Sequence, residues 1–599
     1  MKNKTVFIRF CAVVCLAALV ILMLGCNQRL DGGGSKAPQG SITVDDVVGN
    51  IDTSINTNDK DSSYQEQGAV KISFSNKGAS ISGAGASATG GDVTITGSGT
   101  FIISGECSNG SITVNAQNAN KVQLVLQGVK LTSSNGPAIN VKSAKKVTIT
   151  LSANTENTIS DSNSYNTSYI NDNVDAAIFS KSNLVLNGEG KLTVNGNYAH
   201  AIASKDNLTV AGGVYTVNSK KTGLYGKDFV KLAGCEMNIL AGTDAIKSDN
   251  DTNTEKGYIY VENGKYVLKS ANDAIQAFNL VTIDGGSFDI TTTSTSSTES
   301  AKAIKGGSGI AIAGGEFKIN SKDDAIHSNG NIAIVGGNFT VTSGDDGIHA
   351  DDTLDISNGS IVIQKSYEGL EATDIYISGG YIEINSSDDG MNASGGNDSN
   401  TSVGGRPGMD MFGGGKGTIT ISGGYIIMHN EGDGVDSNGT LEITGGVVLV
   451  DGPSRGGNGS LDYNSSAKIT GGVVITLGSS DMAQNFTEAT QGSILASGSG
   501  YFSAGTTLSL CDDKGNVILA FTSTKQFTCA LFSAPEITTG KTYTFYTGAT
   551  VLGLDENGYA HNTTQTGGTA CGTVTLTTLI SGKGNGMPGG GMPGGRPPR

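Results

Sequence analysis

Apolar and polar residues alternate in this chain over short runs, and turn residues separate one run from the next. Val93-Thr94-Ile95-Thr96, Val122-Gln123-Leu124-Val125-Leu126 and Val147-Thr148-Ile149-Thr150-Leu151 are typical, while long stretches of 3.6-residue period are missing. The pattern predicts strands throughout, so the fold class is all-β. Through the middle of the chain the runs settle into a rhythm of about 22 residues. Its aliphatic landmarks are Ile178, Ile202, Leu224, Ile246, Ile275, Ile304, Ile326, Ile348, Leu370, Met391, Val435 and Leu461. A fixed period of this size means one supersecondary unit stacked on copies of itself. It is too short for a helical hairpin and suits one coil of short strands, with equal positions of successive coils about 4.8 Å apart.

The longer intervals predict loops pushed out of a coil, at 249–256, 291–300 and 394–417, the last with Arg406, Asp410 and Met411. An aromatic residue recurs after many Gly-Gly or Asn-Gly turns: Tyr215, Tyr266, Phe288, Phe317 and Phe339. Same-face spacing with the next aliphatic residue predicts an internal ladder of rings. Tyr381 and Tyr425 stand one position earlier, which turns them outward and makes them candidates for stacking on sugar rings.

After about residue 490 the rhythm ends. Four alternating runs there predict a small β-sandwich over 491–580 that caps the open end of the stack. The Gly/Pro/Met-rich tail 581–599 reads as disordered. At the other end, Lys2, Lys4 and Arg9 precede an apolar run that closes in Met23-Leu24-Gly25-Cys26. Residues 1–25 read as a secretory signal peptide that resembles a bacterial lipobox, which implies lipidation at Cys26. The protein is therefore expected outside the cell, anchored to the membrane, with 26–68 as a flexible tether and 69–490 as the coiled body.

Composition narrows the function. Gly is 89 of 599 residues, yet with 9 Pro and no Gly-X-Y period collagen is excluded. A net charge of −16 argues against nucleic acid and for cations as partners. The cysteines outside the signal region (Cys107, Cys235, Cys511, Cys529 and Cys571) form no CxxC pattern, and a Cys511–Cys529 pair or free thiols are equally compatible with their spacing.

The repeat turns residue types into columns. Asp244, Asp273, Asp324, Asp346, Glu368, Asp389 and Asp433 share one register, and Asp323, Asp345 and Asp388 stand immediately before three of them. Two carboxylates about 5 Å apart repel by roughly 3 kcal/mol at an effective dielectric near 20. One Asp per coil could be absorbed by hydrogen bonds to turn amides. The doublets exceed that need, and oxygen ligands in loose geometry suit Ca²⁺. His327 and His349 share a register with Lys247, Gln276, Glu371, Asn392 and Asp436, a mixture expected of a solvated outer face. Lys181, Lys205 and Lys227 form a basic column, which could meet uronate carboxylates or pair with Asp206 and Asp228. Nothing matches a nucleophile motif or a P-loop. Arg455, in a glycine turn, is weak support for eliminative chemistry.

Taken together, Ala177-Ile-Phe-Ser-Lys181, Ile202-Ala-Ser-Lys-Asp206, Ser366-Tyr-Glu-Gly-Leu-Glu371, Asn458-Gly-Ser-Leu-Asp-Tyr463 and Asp481-Met-Ala-Gln484 resemble one family across about 85–550. These are the bacterial secreted carbohydrate-binding proteins with a pectate-lyase-like right-handed parallel β-helix, known from cellulolytic clostridia. The resemblance implies binding of polygalacturonate or cellulose, Ca²⁺ on the helix and no lyase chemistry. It places the family's paired acids on Asp323/Asp324, Asp345/Asp346 and Asp388/Asp389, and its Lys-Asp elements on Lys205/Asp206 and Lys227/Asp228. Ser182-Asn183 and Lys302 depart from the family's acids, which puts a metal at those coils in doubt. The expected protein is a monomeric, lipid-anchored binder of acidic or cellulosic polysaccharide. A Ca²⁺-dependent pectate lyase and a structural surface adhesin are the alternatives.

Overall fold

Alternating Ile, Val and Thr residues build three strands in each central repeat, as in Ile326–Ser328, Asn331–Ile334 and Asn338–Thr342. In the computed structural model, which describes residues 40–582 except 118–120, 295, 297–298 and 395–416, each strand pairs in parallel with its counterpart one repeat later. Ile326 faces Ile348, Ile332 faces Leu354 and Phe339 faces Ile361. The repeats thus generate three parallel ladders, here named short, middle and long after their strands. Among the described residues the structure is all-β, apart from three helical turns. The signal peptide, Cys26, the loop with Arg406, Asp410 and Met411, and the tail from residue 583 lie outside the described residues.

One face of every ladder points inward. Ile326, Ile332, Ile334, Phe339 and Val341 are all at most 2% exposed and belong to one continuous apolar core. Inside it the rings of Tyr266, Phe288, Phe317 and Phe339 stack with centroids 4.9, 4.8 and 4.5 Å apart. Parallel register at one strand spacing forces this stacking.

The C-terminal region departs from a simple end cap. Phe527–Ala534 pairs antiparallel with Val473–Gly478, the last strand of the long ladder, and covers its backbone edge. A five-stranded antiparallel sheet follows, ordered Tyr559–Thr563, Val517–Thr522, Thr507–Cys511, Thr542–Val551, Gln565–Thr575. Its apolar face packs on the outer flank of the long ladder: Ile427, Leu449 and Ile475 share a cluster with Leu510, Phe521 and Phe545. Those three outward aliphatic side chains are why the sheet sits on the flank as well as over the edge. Cys511 and Cys529 are both buried and unpaired.

The tether expectation fails over residues 40–64, which are docked. Ile42 N–H donates to Asp355 Oδ2 (3.1 Å), and Tyr258 OH donates to the Asp52 carbonyl (3.0 Å). Asn187 Nδ2 donates to the carbonyls of Asp59 and Asp61 (3.0 Å each), and Gln123 Nε2 to that of Ser63 (3.2 Å). As the segment's numbers rise, the repeats it touches fall from 355 to 123, so it runs against the direction of stacking. It lies in a file of small outward residues on the middle ladder, Thr282, Ala311 and Ala333, which it leaves at most 2% exposed. Val47, Val48, Ile51 and Ile55 supply its apolar contacts, against Tyr258, Tyr260 and Leu280. Polar composition concealed these four anchors, which are spaced too irregularly to read as an amphipathic element.

Candidate functional site

The Asp-Asp clause lies in the turn that leads from the long ladder to the short one. A side chain two positions before each landmark aliphatic residue, and one immediately after it, form adjacent files on the outer face of the short ladder. Gly347 sits between them because a Cβ there would lie 2.6 Å from the Gly369 carbonyl oxygen of the next repeat. Most acids of the first file serve the backbone of a neighbour: Asp324 Oδ1 accepts from Asp346 N–H (3.0 Å), and Asp346 Oδ1 accepts from Glu368 N–H (3.1 Å). Asp389 Oδ1 likewise accepts from Asp433 N–H (2.6 Å), and Asp273 Oδ1 from Lys302 N–H (2.9 Å). One oxygen of each of these carboxylates is therefore structural, and it bridges repeats instead of bracing its own turn; Glu368 instead takes Asn392 Nδ2 on both oxygens. The second oxygen is left for chemistry.

What meets that second oxygen changes along the file. At the lower end lysines do: Lys247 Nζ lies 3.0 Å from Asp244 Oδ2, and Lys302 Nζ reaches both Asp323 (3.2 Å) and Asp324. Burial works against the charged form of Asp324, yet the His327 hydrogen bond and the Lys302 charge hold it below the usual carboxylate range. In the middle histidines do: His327 Nδ1 is 2.9 Å from Asp324 Oδ2, and His349 Nδ1 is 3.2 Å from Asp346 Oδ2 and 2.9 Å from Glu371 Oε2. Both rings are at most 2% exposed, so the expectation of a solvated outer face for this pair is wrong. Sequence shows which residues share a register, but not that the two carboxylate files close over the rings.

At the upper end, no cation pairs with Glu368, Asp389, Asp433 or Asp436 among the described residues. Oxygens of Asp389, Asp433 and Asp436 lie within 4.8 Å of one another. Burial first, then neighbouring carboxylates, push Glu368 up to about 10, Asp389 to about 9 and Asp436 to about 7. Asp433 rises to about 8 through burial, although the Gly459 N–H partly offsets it. Asn392, paired in register with Asp436, is buried, and its Oδ1 has no hydrogen-bond partner while its Nδ2 donates to Glu368. Asp345 is exposed and Asp388 half-buried, so neither doublet partner is drawn fully into the files. Asp436, Glu371 and Asn392 belong to this cluster, and the regular 22-residue register was the signal that could have found them.

The basic column is brought together in part. Lys205 Nζ pairs with Asp175 (3.2 Å) and Lys227 Nζ with Asp249 (3.1 Å), so the expected partners Asp206 and Asp228 are not used. Asp228 instead meets Lys256 at 2.6 Å. Lys181 is exposed and apart. Lys205, Lys247, His200, Tyr225 and Asn272 line an open groove of about 370 Å³ at the lower end of the files. The Lys205 ammonium lies 5.0 Å from the Tyr225 ring centre. His200 is held neutral, lowered to about 4, because burial outweighs the charge of Asp175.

Tyr381 and Tyr425 do not offer free faces. Their rings stack on each other at 5.6 Å, Tyr425 meets the edge of Tyr559, and its OH donates to Asp555 Oδ2 (2.8 Å). They fasten the C-terminal sheet to the long ladder, because outward-facing rings on that flank are what the sheet packs against.

Residues 89–347 and 345–513 match the model of the family described as carbohydrate-binding domain-containing protein. This chain belongs to that family. A carbohydrate-binding domain-containing protein of Acetivibrio thermocellus (strain ATCC 27405) is 32% identical over 187 residues, 31% of this chain and 65% of that relative. The match thus spans less than two thirds of the relative's length. A solved structure of the polysaccharide lyase-like protein from C. thermocellum, a gadolinium derivative, is 27% identical, with a TM-score of 0.38 over 45% of this chain and 97% of that one.

Proposed function

We propose that this protein is a binder of acidic plant-type polysaccharide, polygalacturonate or a related pectin, with cellulose as a further ligand, and that Ca²⁺ assists it without cleavage of the chain. The parallel ladders and the length of the repeat support reading the body as a right-handed parallel β-helix, a shape that offers a long straight face to a polymer. The carrying observation is the upper part of the acidic files, where Asp389, Asp433 and Asp436 converge within 4.8 Å and pair with no basic side chain among the described residues. Two oxygens on one Ca²⁺ at 2.3–2.6 Å can be at most about 5 Å apart, and the orphaned Asn392 Oδ1 is the neutral oxygen such a site needs. These residues would hold the ion, which supplies positive charge for a uronate carboxylate. Down the same face, Lys205 and Lys247 present two ammonium groups in an open groove of about 370 Å³. The lipobox at Cys26 supports display on the outer side of the cell membrane, and the body is read as a monomer.

Retention on immobilised polygalacturonate tests the reading. It is expected in Ca²⁺ and lost in EDTA, with the Lys205→Ala/Lys247→Ala double variant retained more weakly than the wild type in Ca²⁺. Retention that ignores EDTA sinks the calcium part. The lyase alternative predicts a rise in the absorbance of unsaturated uronate, and the adhesin alternative predicts no retention under any condition.

A further inference from the structure

The buried histidines take no part in the calcium reading, and their surroundings are unlike those of the acids above them. His349 Nδ1 faces Asp346 Oδ2 at 3.2 Å and Glu371 Oε2 at 2.9 Å, and those two carboxyl groups also hydrogen-bond each other. Three electronegative atoms therefore converge on one point, with His349 and Asp346 buried and Glu371 15% exposed. A neutral imidazole brings one N–H to this meeting at most, so two carboxylates are left competing for it. The next repeat down adds a second imidazole, His327, whose ring centroid is 4.8 Å from that of His349, together with Asp324. Ligand atoms of Asp324, His327 and His349 again lie within 4.8 Å of one another.

The far side of the His349 ring carries an independent sign. Its Nε2 is buried without a hydrogen-bond partner, and so is Asp351 Oδ1, although the two are only 3.4 Å apart. A metal-bound imidazole almost always directs its other N–H at a carboxylate, which fixes the ring and raises its basicity. The spacing on the near side fits as well. Ligands of a tetrahedral Zn²⁺ at 2.0–2.1 Å are about 3.3 Å from one another, close to the separations found around Nδ1.

We propose that His349, Asp346 and Glu371 form a site for a transition-metal dication of the Zn²⁺ class, with Asp351 orienting the imidazole and His327 and Asp324 adjoining it. The imidazole sets this site apart from the all-oxygen cluster above, which suits a harder ion. Binding replaces the protons now shared among the three groups, so Zn²⁺ uptake releases protons. The site neither requires nor excludes a glycan, and it stands if calcium-assisted binding fails.

The test titrates the full chain with Zn²⁺ against a chromophoric chelator, in millimolar Ca²⁺ so that oxygen sites are filled. One Zn²⁺ per chain is expected, with release of protons. His349→Gln should weaken it by about 100-fold or more, and Asp351→Asn by about 10–100-fold, the effect usual for an orienting carboxylate. His561→Gln, on the C-terminal sheet, should change nothing. Co²⁺ in the wild-type chain should give visible absorption bands that His349→Gln abolishes, a readout independent of affinity. Absence of stoichiometric Zn²⁺ uptake by the wild type, or equal uptake by His349→Gln, overturns the proposal.

Discussion

Replacing Asp433 with asparagine removes one ionisable proton while keeping the Oδ1 that accepts from Gly459 N–H. In the folded, metal-free protein burial pushes Asp433 up to about 8, from about 4 in the unfolded chain. Between roughly pH 4 and pH 8 the native chain therefore holds a proton that the unfolded chain has lost. Unfolding stability changes with pH as the protons bound in the unfolded state minus those bound in the native state, so the sign is negative and stability falls as pH rises. Each such proton is worth about 1.4 kcal/mol per pH unit, or about 2.7 kcal/mol from pH 5 to pH 7. Asp433→Asn should gain that amount on the wild type across the interval. Urea unfolding in EDTA at both pH values, followed by far-ultraviolet circular dichroism, measures it. Ca²⁺ at about 100 times its Kd should return about 2.7 kcal/mol to the wild type at pH 7 and much less to the variant. A variant that loses stability in parallel with the wild type between pH 5 and 7 would refute the idea that the upper file is short of cations.

Three further outcomes follow from the packing. Phe317→Ala leaves a cavity between two stacked rings and should cost about 3–5 kcal/mol in chemical denaturation, with Phe317→Leu recovering part of it; a cost under about 1 kcal/mol would contradict the ring stack. Asn187→Ala frees the carbonyls of Asp59 and Asp61 and should cost about 1–3 kcal/mol, seen as faster proteolysis within 56–64, whereas an unchanged rate would speak against docking of that segment. Tyr425→Phe removes the bond to Asp555 and should loosen the C-terminal sheet by about 1 kcal/mol while retention on polygalacturonate is unaltered; lost retention would restore a sugar-stacking role for this residue.

The acidic file was legible before any coordinates because parallel pairing makes sequence period and spatial neighbourhood the same thing. A residue 22 positions on is the residue one strand spacing away, as Asp324 and Asp346 illustrate. The same logic reached the internal rings and placed Lys302 as a departure in the file, although its role as the cation for Asp323 and Asp324 emerged only from the geometry. It failed where contacts do not follow the period. Ile42 reaches Asp355 across 313 residues, and Tyr425 reaches Asp555 across 130. Neither pairing leaves a periodic trace.

By itself, then, the sequence determined the strand class, the repeat and the residues that stand in file, since register follows from chain periodicity once strands run parallel. Only the tertiary structure decided which of those files are covered. The burial that makes His349 a candidate ligand comes from carboxylates of its own and adjacent repeats closing over the ring, while the contacts that tie Tyr425 to a neighbouring sheet and lay residues 40–64 against the middle ladder come from segments remote in the chain. Burial is set by what packs over a side chain, and no local pattern carries that information.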